Sequence, residues 1–303
     1  MKRPRIAVLG SANIDLVCRV PTLPRPGETL RASSVSRFRG GKGANQAVGA
    51  ARLGADVSFF GMVGDDTFGS LIRSGFEENG VDASSVEQLG DVSTGAATIW
   101  VAESGENAIV IAGGANDHVD PHYVDQHLEK IWQADVLLLQ FEIPMKTIAH
   151  VLRSLPPEKP AVFLDPAPAR SFEAIDVSRL ACVTPNEEEL LALSGTSNLD
   201  HGTQILQELG VELVVCTLGE SGAYALRRNG EAVRCPAFKV DAVDSTASGD
   251  AFTAALAVAW ASGGHDVEQM LRWACAAGAI AATRAGAWPS LPTEQEVLSL
   301  LRR

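Results

Sequence analysis

The sequence predicts an α/β fold in which a mostly parallel central sheet is flanked by helices on both faces, with a small β-sheet lid outside it. Three observations carry this. The apolar runs at 6–9, 136–139, 161–164 and 213–216 are continuous rather than alternating, as expected of strands covered on both faces. Helical patterns with recognisable starts and stops lie between such runs, so strand and helix alternate along the chain. Two stretches break the rhythm: 16–38 is polar and extended, with Pro21, Pro24 and Pro26, and 94–112 contains two alternating runs.

In chain order, Ile6-Ala7-Val8-Leu9 follows the basic start Met1-Lys2-Arg3-Pro4-Arg5 and ends at Gly10. That apolar run reads as a first strand, not a signal peptide. Residues 44–53 form a small-residue helix that Gly54 stops. A strand at 57–63 and a helix at 67–79, ending at Gly80, come next. The runs 97–102 and 107–111 flank Ser104-Gly105-Glu106 and predict a β-hairpin. Together with the extended stretch it makes a discontinuous lid, from about 14–38 and 94–112. Asp120 with Pro121 starts a helix. Strands at 136–139, 161–164, 181–183 and 213–216 complete the parallel set. The runs 223–226 and 231–234 around Asn229-Gly230 predict a hairpin that adds antiparallel strands at one edge. An alanine-rich helix follows Asp250, and Thr293 with Glu296 forms a capping box before the last helix. No repeat or linker divides the chain, so residues 1–303 read as one domain.

With 303 residues, 46% hydrophobic and 20% charged, the chain can bury a large core. A formal net charge of -12 argues against a nucleic-acid partner. It does not exclude an anionic substrate, because local backbone dipoles override the global sign. The five cysteines, Cys18, Cys182, Cys216, Cys235 and Cys275, are scattered without a CxxC pair, which predicts reduced thiols and a cytoplasmic protein. No uncharged apolar run reaches the ~18 residues of a membrane span, so no membrane partner is expected.

The densest chemistry lies in Asp244-Ser245-Thr246-Ala247-Ser248-Gly249-Asp250, which opens straight into the alanine-rich helix. A helix start offers unpaired N–H groups and partial positive charge, which suit phosphate. Small side chains at Ala247, Ser248 and Gly249 let it approach the backbone. Asp250 is out of place beside phosphate unless it removes a proton from an attacking hydroxyl. Alone, Ser248 or Asp250 reads as an ordinary helix cap; the rest of the chain reverses that reading. Gly40-Gly41-Lys42-Gly43-Ala44-Asn45 precedes the first helix but matches neither GxxxxGK[ST] nor GxGxxG, where Gln46 takes the third glycine's place. Its glycines admit a ligand, with Lys42 and Asn45 as polar contacts. Asn13, Asp15 and Glu142 follow strand ends, where ligands bind in open α/β sheets, and can grip sugar hydroxyls. Asn186-Glu187-Glu188-Glu189 reads as an acidic first helical turn, structural on composition. Thr217-Leu218-Gly219-Glu220-Ser221-Gly222 is a glycine-bearing turn able to contact phosphate. His118, His122 and His127 lie near Asp117, Asp120 and Asp125, but a spacing of five puts His122 and His127 on different helix faces, and the ligand spacings of known metal sites are absent.

These motifs together resemble the PfkB-type group of carbohydrate and nucleoside kinases, and within it the ribokinase family. The resemblance spans nearly the whole chain: 10–15, the GGKGANQA stretch at 40–47, 61–69, 113–116, 186–189, 244–250 and the tail 283–290. It implies a ribokinase-like three-layer sandwich and ATP-dependent transfer of phosphate to a sugar's primary hydroxyl. Asp250 is then the base, and Ala247, Ser248 and Gly249 form the anion hole. Asn13, Asp15, Gly41, Lys42, Gly43, Asn45 and Glu142 hold ribose. Asn186, the turn 217–222, Gly249 and Cys275 line the nucleotide site, and Glu189 organises Mg2+ through water, which overturns the structural reading of that helix start. Asp244, Thr246, Ala281, Arg284, Gly286 and Ser290 correspond to a K+ site beside the anion hole. A homodimer paired through the lid is also implied. Ser248 stands where the family often has alanine, Thr253 where asparagine is frequent, and Cys275 where a histidine can face the adenine.

Ribose and ATP are therefore the expected partners. Within the same class, deoxyribose, fructose, a ketodeoxy sugar acid or a nucleoside are alternative acceptors. Asp15, Asn45 and Glu142 favour a polyhydroxyl ligand over a purine, which needs an aromatic wall. An NAD-dependent oxidoreductase is opposed by the missing GxGxxG. A silent sugar sensor is opposed by Asp250, since a sensor needs no base.

Overall fold

The structure is a computed structural model that describes residues 3–264 and 266–302; Met1 and Lys2 of the basic start lie outside them. The strands are β1 (Arg5–Leu9), β2 (Asn13–Val20), β3 (Ser34–Gly40), β4 (Asp56–Gly64), β5 (Asp82–Leu89), β6 (Gly95–Ala102), β7 (Asn107–Ala112), β8 (Val136–Gln140), β9 (Ala161–Asp165), β10 (Leu180–Val183), β11 (Leu213–Thr217), β12 (Ala223–Arg227) and β13 (Ala232–Cys235). The helices are α1 (Lys42–Arg52), α2 (Thr67–Glu78), α3 (Pro121–Trp132), α4 (Met145–Ser154), α5 (Glu187–Ser194), α6 (Leu199–Glu208), α7 (Ser248–Ala261), α8 (Val267–Ala282) and α9 (Glu294–Leu301).

The main sheet has the order β13-β12-β11-β10-β9-β8-β1-β4-β5. Its pairings are parallel from β11 through to β5, and β12 and β13 add antiparallel strands at one edge, as their turn chemistry predicts. Successive residues of β1 serve opposite faces. Ile6 and Val8 join the core beneath α1, α7 and α8, and Ala7 and Leu9 join the core beneath α3 and α4. That alternation makes three layers, with a core on each side of the sheet.

β5 is the one strand of this sheet that sequence pattern passes over. Its residues, DASSVEQL, are polar and only partly buried because β5 is an edge strand, and its pairing with β4 slips register between Ser58 and Phe60. The capping residues act as expected. The Asp120 side chain accepts from the Tyr123 N–H, and Thr293 and Glu296 satisfy each other's backbone at the start of α9.

A second sheet, β3-β2-β6-β7, stands apart from the first. β6 and β7 form the expected antiparallel hairpin, while β2 and β6 run parallel. β2 begins at Asn13, so Asn13 and Asp15 belong to this second sheet and sit where it leaves the first. Val35, Ile109, Val110 and Ile111 are exposed on it.

Helices α1 and α7 are the pair that matters for the site. A Cβ built on Gly49 of α1 would come within 3.1 Å of the Ala254 Cβ on α7. Only small residues at that contact allow such an approach. One helical turn earlier on each helix stand Asn45 and Asp250, which the close packing brings face to face. No helix among the described residues is long and apolar enough to cross a membrane.

Candidate active site

The site forms where α1 and α7 begin, over the C-terminal ends of β1, β8 and β9. Glycines let α1 start hard against the chain between β1 and β2. The Ala44 N–H donates to the Ser11 carbonyl at 2.8 Å, and a Cβ on Gly43 would lie 2.7 Å from the Ser11 nitrogen. Gly41, the residue before α1, holds φ at 88°, which a side chain rarely tolerates. The placement sets Lys42 and Gln46 against Asp165 at the end of β9, and Asn45 against Asp250 of α7.

At α7, Ala247 has φ 60°, the only non-glycine among the described residues with positive φ. Strain of that kind costs of order 1–3 kcal/mol and persists where surroundings enforce it, often at functional sites. Next to it the Ser248 hydroxyl is buried with no hydrogen-bond partner among the described residues, and a Cβ built on Gly249 would meet nothing within 4 Å. Open backbone, an unpartnered buried hydroxyl and a helix start together fit an anion. The Ser248 N–H donates to the Ser245 carbonyl at 3.1 Å, so this donor is already engaged in the turn.

Asp250 is buried and accepts from Asn45 Nδ2 at 2.8 Å and Gln46 Nε2 at 3.2 Å. Burial pushes its pKa up; the Lys42 ammonium opposes this, Glu142 adds to it, and the two amides oppose it. Asp15, also buried, is raised to about 7 by desolvation and then by the Glu142 and Asp250 charges. Glu142 Oε2 accepts from Ser11 Oγ at 2.5 Å and from the Lys42 N–H at 3.1 Å. The Lys42 ammonium lies 3.8 Å from Asp165. Burial works against its charge, but Asp165, Asp250, Glu142 and Glu189 together raise its pKa above the ordinary value. Asn13 turns its side-chain oxygen to Asn116 Nδ2 at 2.7 Å, and Asn116 Oδ1 in turn accepts from the Ala12 N–H at 2.9 Å. The predicted set Asn13, Asp15, Gly41, Lys42, Gly43, Asn45, Glu142 and Asp250 is therefore gathered in one place.

The remaining predicted residues lie near the ends of β10 and β11, in α8, and in the segments before α7 and after α8. Asn186 and Glu189 form a reciprocal capping box at the start of α5, and Asn186 bridges to Thr217, the last residue of β11. The turn 218–222 is closed by the Leu218 N–H on the Gly222 carbonyl at 2.8 Å, with a single 3-10 turn at Gly219–Ser221 that includes Glu220. Cys275 is buried in α8, its thiol hydrogen-bonded with that of Cys235, and Thr253 pairs with Thr184 at 3.0 Å. Asp244 Oδ1 accepts from the Thr246 N–H and hydroxyl, and its Oδ2 accepts from the Gly286 N–H at 2.9 Å. Ala281 and Arg284 meet through a backbone hydrogen bond, the Arg284 side chain pairs with Glu296, and Ser290 is buried with its hydroxyl on the Ala287 carbonyl. Hydrogen bonds thus join Asp244 to Thr246 and Gly286, and Ala281 to Arg284, while Ser290 is tied separately to Ala287. His127 packs its ring on Tyr123, 4.6 Å between centroids, and lies 3.7 Å from Glu87. No cluster of His, Cys, Asp and Glu fit to hold a metal exists among the described residues.

Four residues at the centre escape the sequence argument: Gln46, Gln140, Asp165 and Ser11. Asp165 carried a usable signal, since it ends β9 as Glu142 follows β8, and the same strand-end rule points to both. Burial raises its pKa, the Lys42 charge opposes this, and Asp250, Glu189 and Glu142 add to it.

The raised Asp15 has a consequence for stability. An aspartate unfolded near ~3.9 and folded near 7 binds its proton more tightly in the folded state. It therefore erodes stability as pH rises through that window, and erodes it fully above the folded value. Asp15→Asn should be more stable than wild type at pH about 8 and equal to it at pH about 4, compared by urea unfolding midpoints. Equal or lower stability at the higher pH would contradict the assigned environment.

Comparisons with known proteins bear on this geometry. The family model described as pfkB family carbohydrate kinase matches residues 3–294. The chain is 37% identical over 304 residues to a ribokinase of Haemophilus influenzae, covering 99% of both chains. It is 35% identical over 304 residues to a deoxyribokinase of Salmonella typhi, covering 97% of this chain and 99% of that one. Among solved structures, Arabidopsis thaliana ribokinase complexed with ribose and ATP superposes with a TM-score of 0.92 at 33% identity, covering 100% of both chains. The fold is the ribokinase-like α/β fold, and on the full-length match and these identities the chain belongs to the pfkB family of carbohydrate kinases.

Proposed function

We propose that the chain transfers the γ-phosphoryl group of ATP to the 5-hydroxyl of D-ribose, giving D-ribose 5-phosphate and ADP. The observation that carries this is Asp250: a buried carboxylate in the first turn of α7, clamped by Asn45 and Gln46 beside an open helix start. In the step, Asp250 takes the hydroxyl proton as the sugar oxygen bonds to phosphorus. The bond from phosphorus to the bridging oxygen breaks, and its electron pair leaves with ADP. Charge developing on the phosphoryl oxygens would meet the helix start at Ala247, Ser248 and Gly249, where the Ser248 hydroxyl has no partner among the described residues and Gly249 is open. A base with a raised pKa suits this work near neutral pH.

Asn13, Asp15, Gly41, Lys42, Gly43, Asn45 and Glu142 form the sugar site, in which carboxylates accept from hydroxyls and amide groups read the others. The likeness to ribokinases supports ribose; the deoxyribokinase relative makes deoxyribose the leading alternative. Asn186, the turn 217–222, Gly249 and Cys275 line the nucleotide side. Mg2+ would be held through water by Glu189, whose second carboxylate oxygen is spared by the capping box, and would neutralise phosphate charge. K+ would sit among the oxygens of Asp244, Thr246, Ala281, Arg284, Gly286 and Ser290, where it would fix the shape of the turn before α7. The second sheet is the lid over the sugar, and its exposed Val35, Ile109, Val110 and Ile111 support pairing of two copies as a homodimer. Five free cysteines fit a reducing, cytoplasmic setting.

ADP release over a panel of ribose, deoxyribose, fructose and nucleosides should be fastest with ribose. With ribose, Asp250→Asn should lower turnover by ~100-fold to 10,000-fold while sugar binding persists. Near-normal turnover in that variant, or a different preferred acceptor, would overturn the reading. Activity should also rise when K+ replaces a bulky organic cation at equal ionic strength, and Asp244→Ala should blunt the rise. Indifference of the wild type to K+ would remove the cation from the account.

A further inference from the structure

We infer that Gln46 is a positioning residue for the base: its side-chain amide ties Asp250 to a second buried carboxylate, Asp165, and so fixes how Asp250 is held and which of the pair carries a proton. The inference rests on the reading of Asp250 as the base. Gln46 Nε2 has two hydrogens and two acceptors, Asp165 Oδ2 at 2.9 Å and Asp250 Oδ1 at 3.2 Å. Gln46 Oε1 accepts from Gln140 Nε2 at 2.6 Å, which sets the amide's orientation. Gln46 and Gln140 are fully buried, and Asp165 nearly so. Gln140 and Asp165 end the adjacent strands β8 and β9, so the chain of contacts runs from the rigid sheet, through α1, to the first turn of α7.

Two buried carboxylates sharing one amide compete for one proton. The amide favours the charged form of each. Asp165 disfavours the charged form of Asp250 by like charge. The charged groups facing this pair are Lys42 from α1, Asp15 from β2, Glu142 beyond β8 and Glu189 from α5. Lys42 favours ionisation and the carboxylates oppose it. Asn45 holds the other oxygen of Asp250, so losing Gln46 loosens the carboxylate without freeing it.

The test is the pH dependence of kcat/KM for ribose in Gln46→Leu and Asp165→Asn. Removing the amide should move the acid limb to higher pH by about one unit, as expected for a lost hydrogen bond to a charged group. It should lower kcat by about tenfold or more with a far smaller change in the KM for ribose. Removing the second charge should move the limb the other way, to lower pH. Asp165→Asn preserves shape, so this arm stands even where Gln46→Leu folds poorly. A limb that stays put in both variants, or moves in the same direction in both, would overturn the inference. Asp250→Asn in the same assay separates the two levels. If it retains turnover, the base assignment fails; if it is inactive while the limbs stay put, only the role of Gln46 fails.

Discussion

Lys42 faces the carboxylates of Asp165, Asp250, Glu142 and Glu189, and Asp15 faces two of those same carboxylates. Burying so many like charges together is unfavourable by Coulomb repulsion and by lost hydration. One ammonium, two side-chain amides and a few backbone donors offset part of that, and the rest appears as raised carboxyl pKa values. In the proposed reaction a sugar needs acceptors for its hydroxyls and the transfer needs a base, and this stressed cluster would supply both. Function here is set against stability, as at many active sites.

The fold exists in this form to hold those groups still. Each comes from a different element: Asp15 from the small sheet, Lys42 from α1, Glu142 and Asp165 from strand ends, Asp250 from α7. Close packing at Gly49 and Ala254 sets the distance between the two helices, and the parallel sheet sets the rest. Adjacent, hydrogen-bonded strand ends set Glu142 and Asp165, so the field between those two carboxylates follows from the sheet. The small sheet supplies Asn13 and Asp15 at the point where it leaves the main sheet, so movement of that sheet would reach the proposed sugar site directly.

Much of this was legible in the sequence. Continuous apolar runs marked the buried strands, and turn chemistry marked both hairpins. Asp250 after a small-residue turn was conspicuous because a carboxylate there needs a reason. β5 was not legible, since an edge strand can be polar and its pairing partner cannot be read locally. Gln46 was visible only as a failed glycine position, because an amide's role depends on what lies across the fold. Its partners Gln140 and Asp165 are 94 and 119 residues away in sequence. Asp165 could have been found by the strand-end argument that found Glu142.

The central claim is that a buried, charge-stressed carboxylate cluster is completed by sugar hydroxyls. Asp15, with its pKa near 7, is poised to report it. Hydroxyls donating to Asp15 favour its ionised form, so ribose binding near neutral pH should expel part of a proton. Calorimetric titration of ribose at pH 7, repeated in buffers of different ionisation enthalpy, measures that stoichiometry directly. The account predicts fractional proton release on binding; a heat independent of buffer, or proton uptake, would contradict it.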